Sequence, residues 1–398
     1  RFGCELLSED TLEDPTDNHV QTRFNLLGSD LGVPVVVGDG LHLLFGDTVG
    51  YRLIWTWGED PDSVGVVPLA SVVADPTAVC RELAFYVTPD VPSVAASVDA
   101  SIERDFAGVA MIAPPGESLA DYIHDPAGPF PNLPGTFEVP AGAATLSTGA
   151  TYVWYAGGVA FGPPIRMTVG YLARWDTAGI GPPTYQIVRP IDHLDAGELG
   201  GGFVQVSPVE RDGWVYQFGT GDFRRDGVRL ARVPTASIET GADTALYDPS
   251  GAAWVAPPGP VDPLFETDGV GELSVTAVDG WWIALYQREL HDPVTGAIVD
   301  NRVVVRLATA PEGPWSDAAT VIDMADPAFQ AAHCCVGATC PGDQILHCDR
   351  AGLYGAYLLP AITVTPTADG GATLALPFLA STWDPYDVVL FTTTVTAR

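Results

Sequence analysis

Two aspartates flank a pair of apolar, β-prone runs. Asp30 stands before Leu31-Gly32-Val33-Pro34-Val35-Val36-Val37, and Asp47 closes Gly40-Leu41-His42-Leu43-Leu44-Phe45-Gly46. Between the runs lies Gly38-Asp39, which suits the tight turn of a hairpin. If the chain reverses there, Asp30 and Asp47 oppose each other at the open end, with Cβ atoms about 5 Å apart on one face. Two facing carboxylates cannot both ionise freely, so one pKa should rise, giving an acid and a base or nucleophile from one residue type. Glycoside hydrolysis needs that division: one carboxylic acid protonates the leaving oxygen while a carboxylate attacks or activates water. The competing reading is that both aspartates only hold the amides of turns.

The pattern of strand, glycine turn and strand ending in an aromatic returns along the chain, with turns at Gly149, Gly213, Gly280 and, more weakly, Gly352. From Gly149 onward the steps are 64, 67 and 72 residues, whereas the first step is 111. A unit of several strands at this period cannot bury both faces alone and must stack on its neighbours, as in a propeller. The reading is therefore all-β: a five-bladed β-propeller, one domain over residues 1–398. The long first step places an irregular insertion at about 81–140, and a disulfide-rich loop is expected at about 333–348. Innermost strands are expected to start near Leu31, Ala143, Phe203, Glu272 and Asp343. Part of the N-terminal segment should complete the blade that holds Ala372 to Thr396. Helix is nearly absent, with Asp326 to Ala332 the best short candidate.

The repeats supply further candidates. Glu272 opens the fourth hairpin as Asp30 opens the first, so pseudo-symmetry brings this third carboxylate to the same mouth of the central channel. Gln205 and Ser207 in the third repeat, with Tyr354 and Tyr357 in the fifth, could contact sugar hydroxyls; for the tyrosines, core packing is the commoner fate. His42 lies mid-strand between Leu41 and Leu43 and reads as a satisfied core histidine rather than a base. No G-x-S-x-G elbow, HExxH or GxGxxG in its strand-turn-helix context is present, which argues against serine-hydrolase, zincin and dinucleotide chemistry. No cofactor is expected, although calcium held by oxygen ligands would suit so acidic a chain.

Composition narrows the partners. The chain has 50 Asp and Glu against 18 cationic residues, and every one of the 18 is arginine. Such a surface repels nucleic acid. The lack of lysine removes Schiff-base and P-loop chemistry. No apolar run is long enough to span a membrane, and the chain opens at Arg1-Phe2-Gly3, as expected of a secreted or periplasmic protein after loss of its signal. It is expected to act as a monomer on a polysaccharide or oligosaccharide. The six cysteines, Cys4, Cys80, Cys334, Cys335, Cys340 and Cys348, read first as disulfides of an oxidising compartment. Adjacent Cys334 and Cys335 need separate partners, with Cys4 and Cys80 as candidates and at least one bridge reaching a distant residue. A zinc site using His333 and His347 is the alternative, but the spacing is not a repeated CxxC.

Several phrases carry a resemblance. Ser29-Asp30-Leu31-Gly32-Val33-Pro34 with Leu44-Phe45-Gly46-Asp47-Thr48, Val215 to Thr220 with Gly227 to Val233, Gly271-Glu272-Leu273-Ser274-Val275, and Leu353-Tyr354-Gly355-Ala356-Tyr357 occur in order at blade spacing. In these the chain resembles a family of secreted bacterial five-bladed β-propellers, formerly a domain of unknown function, that includes endo-D-arabinanases. The resemblance implies that Asp30 and Asp47 are the catalytic pair and that the substrate is a furanosidic polysaccharide such as bacterial cell-wall D-arabinan. It leaves open whether hydrolysis is retaining or inverting. A propeller of the same fold that binds carbohydrate without cleaving it is the second hypothesis.

Overall fold

In the computed structural model, the residues described are 2–7, 18–50, 61–87, 103–119, 138–158, 165–176, 183–195, 197–259, 261–292, 298–335, 344, 346–348 and 352–397. The chain is mostly β-strand with few and short helices. It begins with strand β1 (Phe2–Glu5) and helix α1 (Val20–Phe24). A four-stranded sheet follows, in the order β2 (Leu31–Val37), β3 (Gly40–Asp47), β4 (Asp62–Pro68), β5 (Ala84–Phe85), with helices α2 (Leu69–Ala74) and α3 (Ala78–Glu82) between its last two strands. The second sheet runs β7 (Val139–Thr145), β8 (Thr151–Gly157), β9 (Val169–Asp176), β10 (Thr184–His193), and β10 also takes β6 (Ala110–Ile112) in parallel.

The third sheet has nine strands and two halves. One half is β11 (Gln205–Arg211), β12 (Trp214–Thr220) and β13 (Asp226–Pro234), with β14 (Ala245–Asp248) and β15 (Ala253–Val255) appended. The other is β16 (Phe265–Val278), β17 (Trp281–His291), β18 (Ile298–Ala308) and β19 (Ala319–Asp323), joined to the first through β13 and the start of β16. After helix α4 (Pro327–His333), whose N-cap Asp326 accepts from Ala328 N, come β20 (Leu353–Leu358), β21 (Thr363–Pro366), β22 (Ala372–Trp383) and β23 (Tyr386–Ala397). In this last sheet β1 pairs antiparallel with β23, so the start of the chain completes the sheet formed by its end, as expected.

Local chemistry explains the hairpins. Gly38, Gly213 and Gly280 have φ of 62, 79 and 83°, and the aspartates before the last two, Asp212 and Asp279, have φ of 52 and 47°. Asp-Gly with both φ positive is the turn whose twist matches that of paired strands. Side chains then alternate between faces, and neighbouring sheets bury each other. Val33, Val153, Tyr155 and Tyr185 fill one interface, and Phe218, Trp282 and Tyr286 another. Burying each such aromatic contributes on the order of 2–3 kcal/mol. The innermost strands adjoin in circuit, β2 to β7, β7 to β11, β11 to β16, β16 to β20 and β20 to β2. This brings the beginnings of all five together.

Three expectations need correction. Gly352 is not a hairpin turn: it precedes the innermost strand β20, which pairs with β22, and the tight turn of that sheet lies at Gly370 between β21 and β22. The fifth copy is thus out of phase with the others, and its strand starts at Leu353 rather than near Asp343, which lies outside the described residues. The cysteines pair differently too. Cys4 bonds Cys80, which ties the lead-in to α3, and Cys334 bonds Cys348 only 14 residues on. The zinc reading is excluded by that second bridge. Cys335 is also disulfide-bonded, with a partner outside the described residues. Of the insertion at 81–140, the described parts are short strands β5 and β6 and irregular chain, while 88–102 and 120–137 fall outside. Among the described residues no helix is long and apolar enough to cross a membrane.

Candidate active site

The first three strands bring three acids to one end of their sheet. Asp30 precedes β2, Asp47 ends β3 and Asp62 begins β4. Their backbones are fastened by a buried hydroxyl network: Ser29 Oγ lies 2.8 Å from Thr48 Oγ1, which lies 2.8 Å from Ser63 Oγ and donates to the Gly46 carbonyl at 2.9 Å. The register is not the one the turn alone predicts. Val33 to Val37 pair with Leu44 to Gly40 as expected, but a bulge between Leu31 and Val33, with φ of 67° at Leu31 and 79° at Gly32, shifts the pairing by one. Asp30 therefore lies opposite Gly46, whose N–H donates to the Asp30 carbonyl at 3.1 Å. A Cβ built on Gly46 would collide with Asp30 Oδ1, so a glycine is required beside this carboxyl. Asp47 is instead the cross-strand partner of Asp62.

Asp30 is half-buried, yet its carboxyl is enclosed. Tyr354 donates to Oδ2 at 2.9 Å, and Oδ1 accepts no hydrogen bond among the described residues. Burial pushes the carboxyl up to about 7 and the nearby Glu272 charge adds to this, while the hydroxyls of Tyr354 and Tyr386 and the Arg224 guanidinium oppose it. No backbone amide holds this side chain among the described bonds, so the turn-capping reading fails for Asp30. By contrast, Asp192 is held by the amides of His193, Leu199 and Phe203, and Asp387 by those of Leu7 and Val388.

Glu272 reaches the same place from β16, at the bulge between Val270 and Leu273 rather than at a strand start. It is buried, salt-bridged to Arg224 Nη2 at 3.0 Å and accepting from Gly355 N at 3.2 Å. Arg224 also pairs with buried Glu289 at 3.5 Å, and its guanidinium lies 5.2 Å from the centre of the Tyr354 ring. Asp30, Tyr354, Arg224 and Glu272 thus form one connected group drawn from the first, last and middle sheets.

The residues expected to contact sugar are mostly occupied internally. Gln205 accepts from Thr220 at 3.4 Å and sits beside Met167 Sδ, and Ser207 Oγ accepts from Val275 N at 2.8 Å, stapling β11 to β16. Gln205, Ser207, Glu272 and Tyr357 share a space of about 10 Å³ on the axis, the size of one water. A larger axial cavity of about 170 Å³ lies further along the same strands, lined by Pro34, Val36, Ala143, Pro208, Thr276 and Pro360 among others. Its lining mixes apolar side chains with Ser207, Ser274 and Thr276 and, among the described residues, holds no carboxyl or imidazole group, so the acids at the strand starts mark the chemistry. His42 is the core histidine expected: it is buried, 3.2 Å from the Tyr86 hydroxyl, and burial lowers its pKa.

Two acids escaped sequence reasoning. Glu138 directly precedes β7 as Asp30 precedes β2; it is buried, its Oε2 has no partner among the described residues, and burial pushes it up to about 7. Asp62 is also buried, and burial, with the charges of Asp47, Asp30 and Glu138, pushes it well above the carboxylate range. The equivalence of strand starts would have found Glu138. Asp62 carried no such signal, because the link between β3 and β4 has no fixed length. Among the described residues, no three of His, Cys, Asp or Glu are arranged to hold a metal.

Solved structures share the fold. A putative hydrolase from Bacteroides ovatus aligns over 94% of this chain and 87% of its own, at 16% identity and a TM-score of 0.53. Lower likeness extends to a thermostable family-43 glycoside hydrolase (11% identity, TM-score 0.43, covering 93% of this chain and 92% of that one) and to a Bacillus subtilis arabinanase (11%, 0.43, 93% and 96%). No curated protein matches the chain. A family model does match, over residues 170–392, a span that starts in β9 and ends in β23 and so takes in Glu272, Arg224 and Tyr354; by that match the chain belongs to the family described as a domain of unknown function, DUF4185.

Proposed function

We propose that this protein is a secreted glycoside hydrolase of furanosidic polysaccharide, endo-D-arabinanase-like, built as a single five-bladed propeller and acting as a monomer. The observation that carries the reading is Asp30: an enclosed carboxyl, hydrogen-bonded by the Tyr354 hydroxyl and close to Glu272, that burial pushes up to about 7. Asp30 passes its proton to the glycosidic oxygen as the bond from that oxygen to the anomeric carbon breaks. Asp47 either attacks that carbon or takes a proton from the water that does. The nearby Glu272 charge opposes ionisation of Asp30, and Arg224 tempers that effect. Gln205, Ser207, Tyr354 and Tyr357 frame the floor beneath the substrate. The circuit of five innermost strands supports the propeller, the likeness to a putative hydrolase supports hydrolysis, and two disulfides are compatible with an oxidising exterior.

The test is hydrolysis of D-arabinan and other furanosidic polysaccharides by the parent and by Asp30→Asn and Asp47→Asn. Both variants should fold as the parent does and lose about a thousandfold or more in kcat. A variant that kept the parental rate would overturn the paired-acid mechanism and leave Glu272 as leading candidate. If the parent binds such a polymer without cleaving it, and both variants bind more weakly, the protein is a binding module.

A further inference from the structure

Asp62 does not yet have a role. It is 1% exposed, begins β4 opposite Asp47, and neither of its carboxyl oxygens accepts a hydrogen bond of good geometry among the described residues. Its immediate successor, Ser63, is locked to Thr48, so the backbone cannot turn it out to water. The titratable groups that face it come from five elements: Asp47 from β3, Asp30 before β2, Glu138 before β7, Tyr155 from β8 and Tyr185 from β10. No arginine is among them. The Tyr155 hydroxyl reaches toward both Asp62 and Tyr185, but neither contact has good hydrogen-bond geometry, and it only partly opposes the upward push of burial on Asp62. Four ionised carboxylates around one dry point would be prohibitive. Arg224 serves Glu272 and Glu289, so the group must be neutralised by protons.

We propose that Asp62 is a positioning residue that stays protonated at working pH and directs its O–H at Asp47, holding that carboxylate charged and oriented. Cross-strand neighbours have Cβ atoms about 5 Å apart, which is within reach for two short carboxyl groups. A neutral acid as donor gives Asp47 a charge-assisted hydrogen bond without adding a second negative charge. The proposal rests on the glycosidase reading for the role of Asp47, but not for the protonation of Asp62 itself.

The two parts are tested separately. An acid that stays protonated in the folded state but ionises in the unfolded chain costs stability progressively as pH rises above about 4. Asp62→Asn, a neutral isostere, removes that cost, so its melting temperature should gain on the parent by several degrees between pH 5 and pH 8. A gap that does not change with pH would overturn the proposal, and so would a calcium-induced rise in melting temperature that the parent shows and Asp62→Asn lacks, since a cation would then do the neutralising. Neither readout needs a substrate, so failure of the glycosidase reading leaves them interpretable. Where the parent is active, Asp62→Asn should keep kcat within about tenfold, whereas Asp62→Leu, lacking a donor, should lose about a hundredfold in kcat with KM little changed. A loss of a thousandfold in folded Asp62→Asn would show instead that Asp62 works as an anion.

Discussion

The acids at the strand starts and the less deeply buried Glu266 on the β16–β18 face both sit in sheet, but they are served differently. Glu266 accepts from the Tyr286 hydroxyl at 2.7 Å and from Arg306 Nη2 at 2.7 Å, and Arg306 Nε donates back to Tyr286 at 2.9 Å. Burial pushes Glu266 up, but these donors more than offset it and hold the carboxyl below its ordinary value. Asp30, Asp62 and Glu138 each keep an oxygen without a partner and are all pushed upward. A protein that could pair Glu266 so fully had the means to pair the others. Where it leaves carboxyls short of donors, it has kept them able to exchange protons, at a cost in stability.

The widest separation between the two regions should appear when each is neutralised. Asp30→Asn should lower kcat about a thousandfold or more with little change in urea midpoint. Glu266→Gln should leave kcat within twofold and cost about 1–3 kcal/mol, because Arg306 loses its counter-charge. If the two variants exchanged these behaviours, the division between working and structural acids would be wrong.

Arg224 lies between the two kinds of environment. Arg224→Met takes the arginine from buried Glu272 and Glu289, leaving Glu289 only His291 and Gln287 among the described residues, which should cost about 3–5 kcal/mol in denaturant unfolding, and Arg224→Lys should recover part of it. The guanidinium also favours the charged form of Asp30. Its loss should therefore move the alkaline limb of the pH–rate profile upward; an unmoved limb would show that Asp30 is not the acid.

The most gradual effect is in pH dependence alone. Asp30 and Glu138 titrate near 7 in the fold and near 4 when unfolded. Between those values the native state holds more protons, so stability falls as pH rises, by up to about 1.4 kcal/mol per pH unit for each group, and the loss is complete above 7. Glu266 acts in the opposite sense, contributing stability above its unfolded pKa that is lost as pH falls through its depressed folded value. Urea titrations should place the maximum on the acid side of neutrality, and Glu138→Gln should shift it upward. A maximum at pH 8 in the parent would contradict the assignment.

Much of this architecture was legible in the sequence because it depends on neighbours in the chain. Glycine turns at Gly38, Gly213 and Gly280 are local and appear as read, and the short helix expected over Asp326 to Ala332 appears at Pro327–His333. What failed was register and phase. The bulge at Leu31-Gly32 depends on contacts of this segment with the last sheet, where Leu31 N donates to Ser381 Oγ at 2.7 Å, and no local pattern announces it. The fifth repeat was misphased for a related reason: its innermost strand connects to β22 through an extra strand, β21, so the glycine that resembles the others precedes the strand instead of turning it. Position alone brings Asp30 and Glu272 to one place, but the groups around them, Arg224, Glu138 and Asp62, lie in other sheets or across connections of variable length.

The hydrogen bond from Tyr354 to Asp30 joins residues 324 positions apart, and β1 reaches its place only when β23 exists. During synthesis Asp30 is made long before Tyr354, and until Tyr354 and β22 arrive its carboxyl lacks the enclosure described above. The proton-holding group therefore appears only once the sheet of β20 to β23 has docked. A chain interrupted late, or clipped within its final strands, would carry both aspartates and still have no acid.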